Sequence, residues 1–212
     1  MPYRLAIFDF DGTLADTFPW FVGVLNDVAD RHGFRRVRPD EVDELRGMNA
    51  RAIMARLGVS LWKVPRIARH MRELAARDAE QMKLFPGVPE MLRRLTDAGV
   101  TLAVVTSNAE DNVRRVLSVE SARVRHYRCG ASAFGKGPKL RRVLADSRTP
   151  ASAAIAIGDE IRDCDAARAV GIAFGAVTWG FATSQALRAL APDAVFESPE
   201  ELAEAISAGW PS

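Results

Sequence analysis

Five short apolar runs punctuate the chain, at residues 5–8, 100–105, 153–157, 172–177 and 194–196. They are nearly continuous in apolar side chains, the pattern of strands covered on both faces rather than on one. The stretches between them have helical punctuation. Residues 86–98 are rich in helix formers and stop at Gly99, residues 109–117 follow a capping residue at Asn108, and residues 161–170 stop at Gly171. Ser198-Pro199-Glu200-Glu201 supplies a cap, a first-turn proline and two acids suited to a positive helix end, so a last helix should begin there. Strand and helix in alternation predict an α/β fold, a parallel Rossmann-like sheet core with helices on both faces. Residues 124–137 read as the least regular part of that core.

Between Leu14 and Leu84 the rhythm changes. Phe18, Phe21, Val22, Leu25, Val28 and Ala29 fall at helical spacing, as do Val64, Ile67, Ala68, Met71, Leu74 and Ala75, and no convincing strand separates them. This predicts an inserted small α-helical unit over 16–83, with the core formed by 1–15 and 84–212.

Composition narrows the picture. A chain of 212 residues, 48% hydrophobic, can bury one good core plus a small inserted module. Basic and acidic residues nearly balance, 29 against 27, so no nucleic-acid partner is expected from charge. No run of about 20 apolar residues occurs, so no membrane span is expected. Cys129 and Cys164 suggest no disulfide framework, and a cytoplasmic protein with reduced thiols is the expectation. His32, His70 and His126 lack ligand spacing and are expected to be structural, which argues against a histidine-ligated zinc site or a Ser-His-Asp hydrolase.

The chemistry concentrates where apolar runs end, since ligands of open parallel sheets sit at the carboxyl ends of strands. The first run ends in Asp9-Phe10-Asp11-Gly12-Thr13-Leu14. Buried carboxylates cost several kcal/mol unless paired or metal-bound, so two of them at the edge of a core strand need a reason. Residues two apart on a strand face the same side, and Asp9 and Asp11 converge if the extended geometry holds that far. The second run ends in Thr106-Ser107-Asn108 and the third in Gly158-Asp159, with Asp163 four residues on; Lys136 precedes a helix expected at Pro138.

These four pieces, in this order, resemble the motifs of the haloacid dehalogenase (HAD) superfamily, whose members are mostly phosphohydrolases. The resemblance spans the core from Asp9 to Asp163, and the helical insertion is similar to the small cap of phosphatases of the phosphoglycolate phosphatase type. It implies a magnesium-dependent phosphomonoester hydrolase with a small phosphorylated metabolite as substrate, phosphoglycolate among the candidates. Asp9 would be the nucleophile that forms an aspartyl phosphate, and Asp11 the acid and base for the leaving group and the attacking water. Mg²⁺ would be held by the Asp9 side chain, the Asp11 carbonyl and Asp159, with Asp163 in support; Asp163 also suits a plain first-turn helix acid. Thr106, Ser107 and Asn108 would bind phosphate, and Lys136 would neutralise it together with the nucleophile.

The family lysine is often followed directly by proline, whereas this chain reads Lys136-Gly137-Pro138-Lys139, which keeps Lys139 in contention. Phe18, Trp20, Phe21, Arg46, Gly47 and Met48 are the cap residues that could face the leaving group, Arg46 and Gly47 as substrate contacts, although the aromatics equally suit cap–core packing. Trp179 and Phe181 are expected to pack, and Glu160 to be peripheral. Asp11 argues against a dehalogenase, which has no phosphoester leaving group to protonate. A sugar phosphomutase of the same superfamily stays open, and so, less favoured, does a phospho-accepting signalling module. Oligomeric state is left open.

Overall fold

The computed structural model describes residues 3–130 and 135–208. Strand β1, Leu5–Phe8, lies at the centre of a six-stranded sheet, and a second short strand, β2 at Ala15–Asp16, follows it. The helical insertion then runs through α1 (Phe18–His32), α2 (Val42–Arg46), α3 (Ala50–Arg56) and α4 (Val64–Arg77). It returns through β3, Lys83–Leu84, which pairs antiparallel with β2. Entry to and exit from the insertion therefore lie side by side in one two-stranded ribbon.

The rest of the chain alternates as α5 (Val88–Asp97), β4 (Thr101–Val105), α6 (Glu110–Leu117), β5 (Val124–Arg128), α7 (Gly137–Ser147) and β6 (Ala154–Gly158). It continues as α8 (Ile161–Arg168), β7 (Ala173–Val177), α9 (Ser184–Ala189), β8 (Ala194–Phe196) and α10 (Pro199–Ser207). The sheet order is β5-β4-β1-β6-β7-β8 and every pairing is parallel.

Strand alternation divides the core in two. Ala6, Phe8, Leu102, Val104, Ile155 and Ile157 pack with Leu92 and Leu95 of α5 and with Leu202 and Ile206 of α10. Leu5, Ile7, Ala103, Val105, Ala154 and Ala156 pack on the other face with Leu140 and Val143 of α7 and with Ala167 of α8. Phe8, Phe174 and Phe196 are wholly buried, each worth roughly 1.5–3 kcal/mol of transfer free energy. The insertion has a small core of its own around Val37, Leu45 and Leu57.

Two sequence expectations need correction. Residues 124–137 are not irregular throughout, because 124–128 form the edge strand β5; residues 131–134 of that stretch lie outside the described residues. An edge strand meets the core on few positions, here Val124 and Tyr127, so its sequence Val-Arg-His-Tyr-Arg lacks the apolar run of a central strand. The histidines were expected to be structural, and two of them meet in the fold. His32 of α1 and His70 of α4 meet, Nε2 to Nδ1, at 3.1 Å, a tertiary contact across 38 positions that local spacing cannot reveal. Ser198 caps α10 as expected, its Oγ accepting from the Glu201 N–H. Asn108, expected to cap α6, stands one residue earlier than that position, which Ala109 fills.

Candidate active site

The site forms where β1, β4 and β6 end. The extended geometry of β1 holds as far as Asp9, whose N–H donates to the Ile157 carbonyl at 2.8 Å. The chain then closes a tight turn in which the Phe10 carbonyl accepts from the amides of Thr13, Leu14 and Ala15. Gly12 sits in that turn at φ +78°, a left-handed conformation that favours glycine. Asp11 is thus carried alongside Asp9 by a turn, where strand alternation alone would have served only if the strand had continued. Its carboxylate accepts from Asn108 Nδ2 at 3.3 Å.

Asp9, Asp159 and Asp163 are all buried, and a carboxylate oxygen from each lies within 4.8 Å of the others. One ammonium stands among them: Lys136 Nζ is 2.6 Å from Asp9 Oδ2 and 2.5 Å from Asp163 Oδ1. Lys136 immediately precedes α7, whose first turn contains Pro138. Lys139 lies a turn further on and reaches elsewhere, donating to the carbonyl oxygens of Thr106, at 2.6 Å, and Gly130. Between the two contenders the acid cluster holds Lys136, and Lys139 joins the end of β4 to the loop after β5.

Asp159 is oriented at both oxygens. Thr13 Oγ1 donates to Oδ1 at 2.7 Å, and the Phe181 backbone N–H donates to Oδ2 at 2.7 Å. The packing around it demands glycine. A Cβ at Gly12 would lie 2.2 Å from Asp159 Oδ2, one at Gly180 2.3 Å from Asp159 Cβ, and one at Gly158 2.5 Å from Asp163 Oδ2. Asp163 Oδ2 also accepts from the Glu160 N–H, so this acid caps α8 while its other oxygen holds Lys136. Glu160 pairs with Arg162 at 2.5 Å at the rim of the cluster.

The electrostatics match this crowding. Burial pushes the Asp9 carboxyl up against the opposing pull of Lys136, and burial followed by Glu160 and Asp9 pushes Asp159 well above the usual carboxylate range. Burial, then the charge of Asp9, raises Asp11 to about 6. Burial opposes the Lys136 charge, but Asp163 and Asp9 outweigh it and push its pKa up. Three carboxylates against one ammonium leave excess negative charge in a water-poor volume. Asp9 Oδ2 has the Lys136 charge beside it but no well-aligned hydrogen bond among the described residues. An all-oxygen donor set with surplus negative charge fits a hard divalent cation.

The residues expected to receive phosphate gather on the other flank. Thr106 is buried at the end of β4, and its Oγ1 accepts from the Asn108 N–H at 3.1 Å. Asn108 is fixed in turn by Asn112, and Ser107, between Thr106 and Asn108, is exposed. Arg46, at the end of α2, arrives from the insertion. Its Nε donates to the Phe181 carbonyl at 2.8 Å and its Nη2 to the Gly180 carbonyl at 3.1 Å, while Gly47 follows as the helix end. The Phe181 ring meets Phe18 and Phe21 edge-on, with centroids 5.1 and 5.5 Å away. Trp20 is turned to Asp78 at the base of the insertion, through a 3.0 Å bond from Nε1. Trp179 Nε1 donates to the Thr13 carbonyl.

Thr13, Gly180 and Phe181 are the site residues that the sequence pattern did not assign. Thr13 stood inside the first motif and could have been found there; the Phe181 contact is made by a backbone amide and leaves no trace in residue identity.

The family model for haloacid dehalogenase-like hydrolases matches residues 6–177 of this chain. A phosphoglycolate phosphatase of Synechococcus elongatus is 32% identical over 203 residues, covering 95% of this chain and 96% of the relative. Among solved structures, a haloacid dehalogenase-like family hydrolase from Streptococcus pneumoniae superposes with a TM-score of 0.78 at 21% identity, covering 94% of this chain and 96% of that one. CbbY from Rhodobacter sphaeroides, in complex with phosphate, gives 0.72 at 24% identity with the same two coverages.

Proposed function

Because this chain belongs to the haloacid dehalogenase-like hydrolases, we propose that it is a Mg²⁺-dependent phosphomonoester hydrolase acting through an aspartyl phosphate on Asp9. The observation that carries this reading is the buried ammonium of Lys136 between Asp9 and Asp163, with Asp159 alongside. Asp9, Asp159 and the Asp11 carbonyl would hold the cation, with Asp163 supporting through Lys136. When bound, the cation offsets the charge of carboxylates and phosphate and polarises the phosphoryl oxygens.

The residues then divide the work. Asp9 attacks phosphorus while Asp11 gives a proton to the departing oxygen; Asp11 afterwards takes a proton from the water that attacks the phosphoaspartate. Thr106, Ser107 and Asn108 would receive the phosphate oxygens, and Lys136 would oppose the charge spread over them in the transition state. The insertion over 16–83 acts as a cap on the core of 1–15 and 84–212, with Arg46 and Gly47 on its site-facing end. The substrate is a small phosphomonoester, and the Synechococcus relative puts phosphoglycolate first among those to try. We take the reaction to be cytoplasmic, a setting in which the free thiols of Cys129 and Cys164 would persist. Among the described residues no helix is long and apolar enough to cross a membrane.

The test is a phosphomonoester panel with Mg²⁺, including phosphoglycolate, sugar phosphates and nucleotides, assayed both for free phosphate and for isomerised sugar phosphate. Release of phosphate is expected; accumulation of the isomer without it would mark a mutase.

Mg²⁺ should stabilise the fold by mass action, by about 2.7 kcal/mol at a hundredfold excess over its Kd, and so raise the melting temperature, and chelation should stop turnover. Calorimetry in both states measures the first, and full activity after exhaustive metal removal would contradict the site. Asp11 offers a second check. With a pKa of about 6 it carries its proton below that pH and loses it above. Single-turnover phosphorylation should therefore fall as pH rises through 6 for alkyl phosphates, while aryl phosphates, whose leaving groups need little protonation, stay nearly flat. Asp11→Asn should erase the difference in pH profile and slow alkyl substrates more; equal losses across a leaving-group series would remove Asp11 from the acid role.

A further inference from the structure

Asp159 is separated from the cap by one short loop, and the cap holds that loop. The Arg46 guanidinium spans two successive carbonyls, Phe181 through Nε and Gly180 through Nη2. The Arg46 carbonyl in turn accepts from the Thr183 N–H at 3.3 Å, so the loop is engaged from both sides of the same cap residue. The Phe18 ring lies under the guanidinium at 4.9 Å and meets the Phe181 ring edge-on, which fixes the arginine from below. On its other side the loop delivers the Phe181 N–H to Asp159 Oδ2 at 2.7 Å, and Gly180 packs so closely on Asp159 that no Cβ fits between them.

Each nitrogen of the guanidinium already has a partner. With Nε and Nη2 on loop carbonyls and Nη1 on Asp43 at 3.2 Å, the guanidinium presents its planar fork to the core backbone. A side chain engaged in this way orders the partner of Asp159 without needing to touch a substrate.

We propose that Arg46 is a positioning residue: its grip on the Gly180 and Phe181 carbonyls sets the loop whose amide orients Asp159, so that the cap's seat on the core and the cation-binding geometry of the acid cluster are one mechanical unit. This inference rests on the Mg²⁺-dependent reading above. It assigns Arg46 to the site through Asp159 and not through the leaving group. A lysine could supply the charge but not the two-pronged fork, and glutamine would lose both.

The experiment measures Mg²⁺ affinity without substrate, from the shift in melting temperature of the full chain, together with hydrogen exchange of residues 178–183 and steady-state kinetics on p-nitrophenyl phosphate and phosphoglycolate. Arg46→Gln is expected to weaken Mg²⁺ binding about tenfold, to speed exchange of the Phe181 amide, and to lower kcat on both substrates alike. Arg46→Lys should fall between. Asp43→Ala, which removes only an exposed partner, should match the parent protein. An Arg46→Gln variant with parental Mg²⁺ affinity and parental exchange, and with KM raised only for phosphoglycolate, would overturn the proposal and make Arg46 a substrate contact. A parent protein whose melting temperature ignores Mg²⁺ would overturn the reading on which it rests.

Discussion

Replacing Asp9 by asparagine should abolish turnover, by about a thousandfold or more, while leaving the fold at least as stable as before. The amide is nearly isosteric with the carboxylate but is a far weaker nucleophile, and removing a nucleophile that acts in concert with its neighbours costs most of the catalysis. The stability expectation comes from the charge count. Burial pushes the Asp9 carboxyl up, which means that its ionised form is costly in the metal-free protein. Asparagine removes one negative charge from a cluster with an excess of them, and Lys136 keeps its 2.5 Å contact with Asp163. Stopped-flow assays and a thermal melt of the metal-free variant check both halves. Activity within tenfold of the parent would exclude covalent chemistry on Asp9.

Lys136→Ala and Lys139→Ala should part company sharply. A charge that opposes the transferring phosphoryl group is worth on the order of 3 kcal/mol, about a hundredfold in rate, and Lys136 is the ammonium within 2.6 Å of Asp9. Its removal also leaves Asp9 and Asp163 facing each other without the ammonium that sits between them. The raised pKa of Lys136, against an ordinary value of 10.5, means that its contribution to stability is complete below that value and fades only as pH rises through its higher folded-state pKa. At neutral pH, therefore, the lysine contributes in full. Lys139 binds two carbonyl oxygens in place of carboxylates, so its loss should lower the melting temperature by a few degrees and leave catalytic efficiency within about tenfold. Measuring kcat/KM well below both melting points separates the effects. A severe loss confined to Lys139→Ala would transfer the catalytic role to it.

The central strands and the acids at their ends were legible because each is a local pattern: an apolar run long enough to cross a buried sheet, then a carboxylate with no reason to be there except chemistry. Lys136 could be favoured over Lys139 on the same footing, since Pro138 suits a first helical turn and leaves the preceding residue in the loop. Three features were hidden, for two reasons. Strand β5 touches the core through Val124 and Tyr127 alone, so its pattern is that of a polar loop. The His32–His70 contact and the hold of Phe181 on Asp159 depend on tertiary juxtaposition, the latter through a backbone amide that any residue but proline provides. Arg46 shows the same limit. Its position near the site could be inferred from likeness to capped phosphatases, but its partners are carbonyl oxygens more than 130 positions away.

The ribbon of β2 and β3 gives the chain an economy of a different kind. Ala15 pairs with Leu84 and Asp16 with Lys83, so the two ends of the insertion stand one strand spacing apart, about 4.8 Å. To the sheet, everything from Thr17 to Met82 is a hairpin tip. Its internal length does not alter the path by which β1 connects to α5 and β4, and the entropy of joining its ends changes only slowly with the number of residues enclosed. The ribbon therefore works as a socket: what is plugged into it can be lengthened, shortened or exchanged without disturbing the register that brings Asp9 to the end of β1.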